Sequence, residues 1–173
     1  IMLKYVDIPQ NACIIDVGTG AGFPSIPLKI YRPHVNLTLL ASLNKRITFL
    51  LLLCEKIGIR AEFIHGLAED YSKKPEYREK FDISCARAVA NMSLLSELCI
   101  PFVKVGGMFI SMKGPNEDIS LGLNAIKLLG GNVSRETNYS IENEERRIVQ
   151  IEKISQTPTK YPRNSSQIKK KLL

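Results

Sequence analysis

The stretch Asp16-Val17-Gly18-Thr19-Gly20-Ala21-Gly22-Phe23-Pro24 places an acid just ahead of a Gly-x-Gly-x-Gly turn. Glycines let backbone approach a ligand closely, and such a turn between strand and helix suits a nucleotide-like molecule. The turn geometry makes Gly20 and Gly22 candidate ligand contacts. The dinucleotide fingerprint needs Gly-x-Gly-x-x-Gly, and here the third glycine comes one residue early. Asp16 either meets a cationic ligand group or caps the turn; charge matching favours the ligand. Phe23 is either a pocket wall or plain core. Arg87, flanked by apolar residues where a strand should end, needs a partner: a ligand, a phosphate, Asp16 or Glu69. Lys45 and Arg46 stand at a helix start, where the dipole disfavours cations. They either hold phosphate or cover a solvated face. Cys85 reads as a core thiol, and His34 and His65 lack the company a metal site requires.

These residues need elements to hold them. Ala12–Val17 is a compact apolar run that suits a buried parallel strand. Pro24 fits the first turn of a helix carrying Ile26, Leu28 and Ile30 and stopping before Pro33. Val35–Leu40 is a second strand. A helix capped by Ser42 or Asn44 carries Ile47, Leu50, Leu51, Cys54 and Ile57 and ends at Gly58. Arg60–Ile64 and Phe81–Cys85 are the third and fourth strands, and Met92–Cys99 is a helix. Gly106-Gly107 turns into a fifth strand, Met108–Met112. Residues 115–129 should be helical, with 133–140 and 147–153 as a closing strand pair. Strands alternating with helices imply an α/β fold whose parallel sheet is covered on both faces. Residues 1–11 form a short lead-in.

The chain has 173 residues, 45% apolar and 24% charged, which excludes a disordered, collagen-like or coiled-coil chain. The longest apolar run, Phe49–Cys54, is too short to span a membrane. No basic-then-apolar leader opens it, and four scattered cysteines read as reduced thiols of a cytoplasmic protein. The formal net charge is +7, and residues 153–173 hold six basic residues and no acid. Residues 1–156 are therefore expected to form one near-neutral domain. Residues 157–173 are expected to form a basic arm that suits phosphates, in which Lys160, Tyr161 and Arg163 combine charge with an aromatic platform. Cutting that arm should weaken phosphate binding, flatten its salt dependence and leave binding at the glycine turn intact.

The glycine stretch resembles motif I of S-adenosylmethionine-dependent methyltransferases. Four further stretches narrow the likeness: Ser42-Leu43-Asn44-Lys45-Arg46, Ala68-Glu69-Asp70, Arg87-Ala88-Val89-Ala90 and Thr157-Pro158-Thr159-Lys160-Tyr161-Pro162-Arg163. Together they resemble the bacterial RsmG/GidB family, which methylates N7 of a guanine in 16S ribosomal RNA. The resemblance implies a Rossmann-like class I methyltransferase with a mostly parallel seven-stranded sheet and helices on both faces. It implies S-adenosyl-L-methionine as cofactor and the 30S subunit as partner, with no metal and no membrane, the protein acting as a monomer. Gly18, Phe23 and Arg87 would line the cofactor pocket with Asp16, while Ala68 and Glu69 would meet the adenine end. Lys45, Arg46, Lys160, Tyr161 and Arg163 would hold RNA.

Two positions depart from the family pattern. Ala41 replaces an acid that would accept bonds from the cofactor's ribose hydroxyls, and Leu67 stands where an arginine is common. The family's N-terminal helical segment is not visible ahead of motif I, so a fragment and a divergent copy are both open. Guanine N7 has a free lone pair, so no general base is needed and alignment supplies the acceleration. Arg87 is the candidate for orienting the base. The alternatives are a catalytically weakened RNA-binding protein on this fold, and a nicotinamide-dependent oxidoreductase, which the glycine spacing argues against.

Overall fold

In the computed structural model, which describes residues 2–87 and 90–173, the apolar run Cys13–Val17 is strand β1, buried from Ile14 onward. Its side chains alternate between faces, yet both faces are apolar, which is the signature of a strand covered on two sides. The chain continues through α2 (Ser25–Tyr31), β2 (Asn36–Ala41), α3 (Asn44–Lys56), β3 (Glu62–His65) and α4 (Ala68–Tyr71). Next come β4 (Phe81–Arg87), α5 (Met92–Cys99), β5 (Val103–Lys113), α6 (Leu123–Leu128), β6 (Gly131–Ile141) and β7 (Glu144–Lys153). Two short helices, α1 (Met2–Tyr5) and α7 (Ser165–Lys170), stand at the ends.

The seven strands form one sheet in the order β3-β2-β1-β4-β5-β7-β6. The first five run parallel, and β7 lies antiparallel to both β5 and β6. Ile14, Leu39, Cys85 and Ile110 pack on one face against Ile26 and Leu28 of α2 and Leu50 of α3. Ile15, Leu40, Ala86 and Phe109 pack on the other against Leu95 of α5 and Ile126 of α6. The mostly parallel, doubly covered sheet is the one expected.

Several elements differ from expectation. The helix over 115–129 shrinks to α6, preceded by a tight turn at Ile119–Gly122 that Asp118 caps by accepting from the Ser120 N–H at 2.9 Å. Packing sets that break: a Cβ on Gly122 would sit 2.5 Å from Met92 Cγ of α5. Neither Ser42 nor Asn44 caps α3; Leu43 takes the cap position without a side-chain bond. Strand β5 begins at Val103, not Met108, with its register against β4 slipping between Phe81 and Ile83. The short lead-in packs on the body, with Met2, Val6 and Ile8 buried in the core.

The basic arm is the largest correction. Residues 157–173 pack on the body. Lys153 is buried and ion-paired with Glu79 at 3.0 Å. Arg78 donates to the carbonyls of Thr157 and Tyr161 at 2.7 and 2.9 Å. Tyr161 is only 7% exposed, so it cannot serve as a stacking platform. Arg163 grips both oxygens of the buried Glu97, at 2.8 and 2.6 Å, so its charge is spent inside the protein. Asn164 and Gln167 then form a capping box that starts α7.

Candidate functional site

Parallel strands in the order β2-β1-β4 bring their carboxyl ends to one edge of the sheet, where ligands of open α/β sheets bind. The chain turns back at once after β1. The N–H groups of Gly18 and Thr19 donate to the Leu40 carbonyl at 3.0 and 3.2 Å, tying the turn to the end of β2. Gly20 has a φ of 59°, and a Cβ there would meet nothing nearer than the Gly18 carbonyl at 3.9 Å. Its backbone is thus bent and open to a ligand. Gly22 differs: a Cβ would collide with Ile26 and reach Leu50 at 3.0 Å. Sequence reasoning grouped it with the ligand contacts, whereas its packing role is to let the turn seat against α2 and α3.

Asp16 is buried beneath this turn and accepts a bond from the Thr19 hydroxyl at 2.8 Å. Burial pushes its carboxyl up to about 6, against the bonding of Ser25 and Thr19 and the charge of Arg87. Of the two readings, the turn-capping bond is the one formed. The strained ionisation that remains is what an approaching cation would relieve. Cys85 lies 3.4 Å from the Ser25 hydroxyl, and burial, with the Asp16 charge, raises its thiol well above the usual value. A protonated buried thiol is a core group rather than a nucleophile.

Arg87 ends β4 on the exposed side, its guanidinium 5.5 Å from the centre of the Phe23 ring. Phe23 is half exposed, so it is a wall and not core. Ala88 and Val89 of the Arg-Ala-Val-Ala stretch lie outside the described residues. At the other end of the edge, Ala68 and Glu69 open α4 and both are buried. The Ser165 hydroxyl of α7 donates a short hydrogen bond to Glu69 Oε1. Ala41 ends β2, buried, and offers only its carbonyl, which accepts from the Gly66 N–H at 3.0 Å. Lys45 and Arg46 are exposed in the first turn of α3, with no ion pair to a described residue. Lys160 is exposed. Among the described residues no cluster of His, Cys, Asp and Glu is placed to hold a metal ion, and no helix is long and apolar enough to cross a membrane.

A cavity of about 360 Å³ opens beside the turn. Phe23, Pro24, Arg87, Met112, Tyr139 and Arg146 line it. Tyr139 and Arg146 are cross-strand partners on β6 and β7, so both project to one face. Sequence reasoning missed these two. Their approach to the turn depends on β7 inserting between β5 and β6, an order no local pattern encodes.

Comparison with known proteins adds a second line. The GidB family model, described as rRNA small subunit methyltransferase G, matches residues 1–149. A ribosomal RNA small subunit methyltransferase G from Geobacillus sp. (strain WCH70) is 51% identical over 164 residues, covering 92% of this chain and 69% of that protein. Its counterpart from Lactobacillus acidophilus is 49% identical over 167 residues, covering 94% and 70%. Among solved structures, TrmN from Thermus thermophilus superposes with a TM-score of 0.70 at 14% identity, over 88% of this chain and 47% of that one. M. jannaschii TYW2 in complex with AdoMet gives 0.66 at 13% identity, over 84% and 70%. At such identities the structures speak for the fold alone.

Proposed function

The chain belongs to the GidB family, rRNA small subunit methyltransferase G, and from that premise we propose that it transfers a methyl group from S-adenosylmethionine to N7 of a guanine in 16S ribosomal RNA. The observation that carries the reading is the bent, open Gly20 backbone above a buried carboxyl, at the sheet edge of a chain about half identical to these methyltransferases.

The residues present fit the cofactor. The Gly18–Gly20 backbone would hold its methionine end, and Asp16 would face the ammonium, whose charge would relieve the burial of the carboxylate. Ala68 and Glu69 would meet the adenine end, and Phe23 would stand between the cofactor and the cavity beside the turn. S-adenosylmethionine supplies an electrophilic methyl on a sulfonium. The chain's own task is alignment: guanine N7 carries no proton, so no side chain has to remove one. Arg87, above Phe23, orients the base. Lys45, Arg46 and Lys160 contact RNA phosphate, with the exposed Lys169, Lys170 and Lys171 taking the place that Tyr161 and Arg163 were expected to fill. The protein acts as a monomer in the cytoplasm.

Incubation with 30S subunits and methyl-labelled S-adenosylmethionine tests this. Label should enter 16S RNA as 7-methylguanosine at one position. Subunits that are bound but remain unlabelled would instead favour the non-catalytic RNA-binding reading.

A further inference from the structure

The cavity between the glycine turn and the β6–β7 hairpin has no assigned occupant, and its chemistry is selective. Its apolar walls include Phe23, Pro24 and Met112 with side chains of α1 and α2, and its polar lining is Arg87, Arg146, the Tyr139 phenol and Lys113, the last already paired with Glu117 at 2.7 Å. No acidic side chain lines it among the described residues. Arg146 is held by Glu144, two positions away on β7. Tyr139 is fixed from behind by the Tyr5 ring, 5.7 Å between centroids and tilted 30°. Burial pushes the Tyr139 phenol up while the charges of Arg146 and Arg87 pull it down, so both guanidinium groups bear on the same space. A volume of about 360 Å³ lies at the small end of ligand sites, which run from about 300 to 1,000 Å³.

Two aromatic rings in an otherwise aliphatic lining, Phe23 and Tyr139, suit a flat ring. Two guanidinium donors with no carboxylate ask for an edge made of acceptors. Guanine presents O6 and N7 acceptors on one edge, whereas adenine places an amino donor where guanine has O6. A base inside a helix cannot reach such a cavity, so it must be turned out of the RNA and held between side chains. We propose that this cavity receives the target guanine, with Phe23 and Tyr139 as walls and Arg146, beside Arg87, as a donor to O6. That donation leaves the N7 lone pair free and rejects adenine. The assignment rests on the function proposed above and adds the base-selecting residues of β6 and β7.

The test compares wild type, Arg146→Gln, Tyr139→Ala and Tyr139→Phe for methyl transfer to 30S subunits, with S-adenosylmethionine affinity measured alongside. Arg146→Gln and Tyr139→Ala should each lower kcat/KM for the subunit by about tenfold. Tyr139→Phe, which keeps the wall, should stay close to wild type, and cofactor affinity should hold in all three. Full kcat/KM in both Arg146→Gln and Tyr139→Ala overturns the assignment, as does a loss of activity that only tracks cofactor affinity. A second arm needs no turnover. Broadening of the H8 resonance of guanosine 5′-monophosphate by the protein should be present in wild type and Tyr139→Phe, weaker in Arg146→Gln and Tyr139→Ala, and absent for adenosine 5′-monophosphate. Broadening in Arg146→Gln and Tyr139→Ala equal to that of wild type overturns the cavity. If wild type fails to methylate subunits while this pattern holds, the function falls and the guanine site stands.

Discussion

Asp16 is the buried titratable residue of the proposed site. Its folded pKa of about 6 lies above the unfolded value of 3.8. Protonation therefore favours the folded form, so the group costs nothing below about pH 3.8 and its full penalty applies above about pH 6. That penalty is at most about 3 kcal/mol. Asp16→Asn, which keeps an acceptor for Thr19, should raise the melting temperature of the cofactor-free protein at pH 8 and leave it nearly unchanged at pH 4. The same substitution should weaken S-adenosylmethionine binding, because a neutral amide cannot answer an ammonium. Wild-type affinity should fall as pH drops through about 6, whereas the affinity of the Asp16→Asn protein should not. Matching pH profiles in calorimetry would remove Asp16 from the site. Ala41 makes the opposite case, a residue whose chemistry is missing. Ala41→Asp should tighten cofactor binding by about tenfold to a hundredfold, the worth of about 1.5–3 kcal/mol for charge-assisted bonds to the ribose hydroxyls. Unchanged affinity on titration would show that this end of the site is already satisfied.

The elements show which parts of this could be read from sequence. Strand β1, the turn and helix α5 stand where apolar runs, glycines and helical spacing place them, because their signals are local. Asp16, Phe23 and Arg87 share one sheet edge, since every strand before them runs parallel. The C-terminal segment defeated the same method. Its proline, serine and lysine content reads as a basic arm, but the acids that bind it, Glu79 through the Thr157 N–H and Glu97 through Arg163, lie far off in sequence. Helix α7 is one and a half turns of polar residues held by a capping box and by the buried Ile168, too short to show periodicity. Its consequence reverses an expectation: cutting the segment should not spare the cofactor, because Ser165 of α7 holds Glu69. Ser165→Ala should reduce S-adenosylmethionine affinity about fivefold, the equivalent of about 1 kcal/mol for one hydrogen bond, and leave RNA affinity alone. Equal cofactor affinity in both proteins would separate α7 from the adenine end.

At the scale of the whole molecule, the net charge of +7 is not carried where the composition suggests. Of the six basic residues in 153–173, Lys153 and Arg163 are matched by Glu79 and Glu97 within the fold. Lys160, Lys169, Lys170 and Lys171 remain exposed, and the last three crowd the end of α7. The two sets must answer differently to salt. Exposed lysines that neutralise phosphates release counterions, so each contact adds about 0.7–0.9 to the slope of log affinity against log salt. Replacing Lys169, Lys170 and Lys171 with glutamine should lower that slope by about 2 and leave the melting temperature unchanged. Arg163→Ala should do the reverse. It strands the Glu97 carboxylate, 1% exposed, and should cost about 3 kcal/mol of stability in denaturant unfolding. Among molecules still folded, the salt slope should remain that of wild type. If Arg163→Ala flattens the slope without destabilising the fold, the arginine is free for RNA and its pairing with Glu97 does not hold the segment down. If the three lysines change nothing, the end of α7 does not touch RNA, and the phosphate contacts fall to Lys45, Arg46 and Lys160.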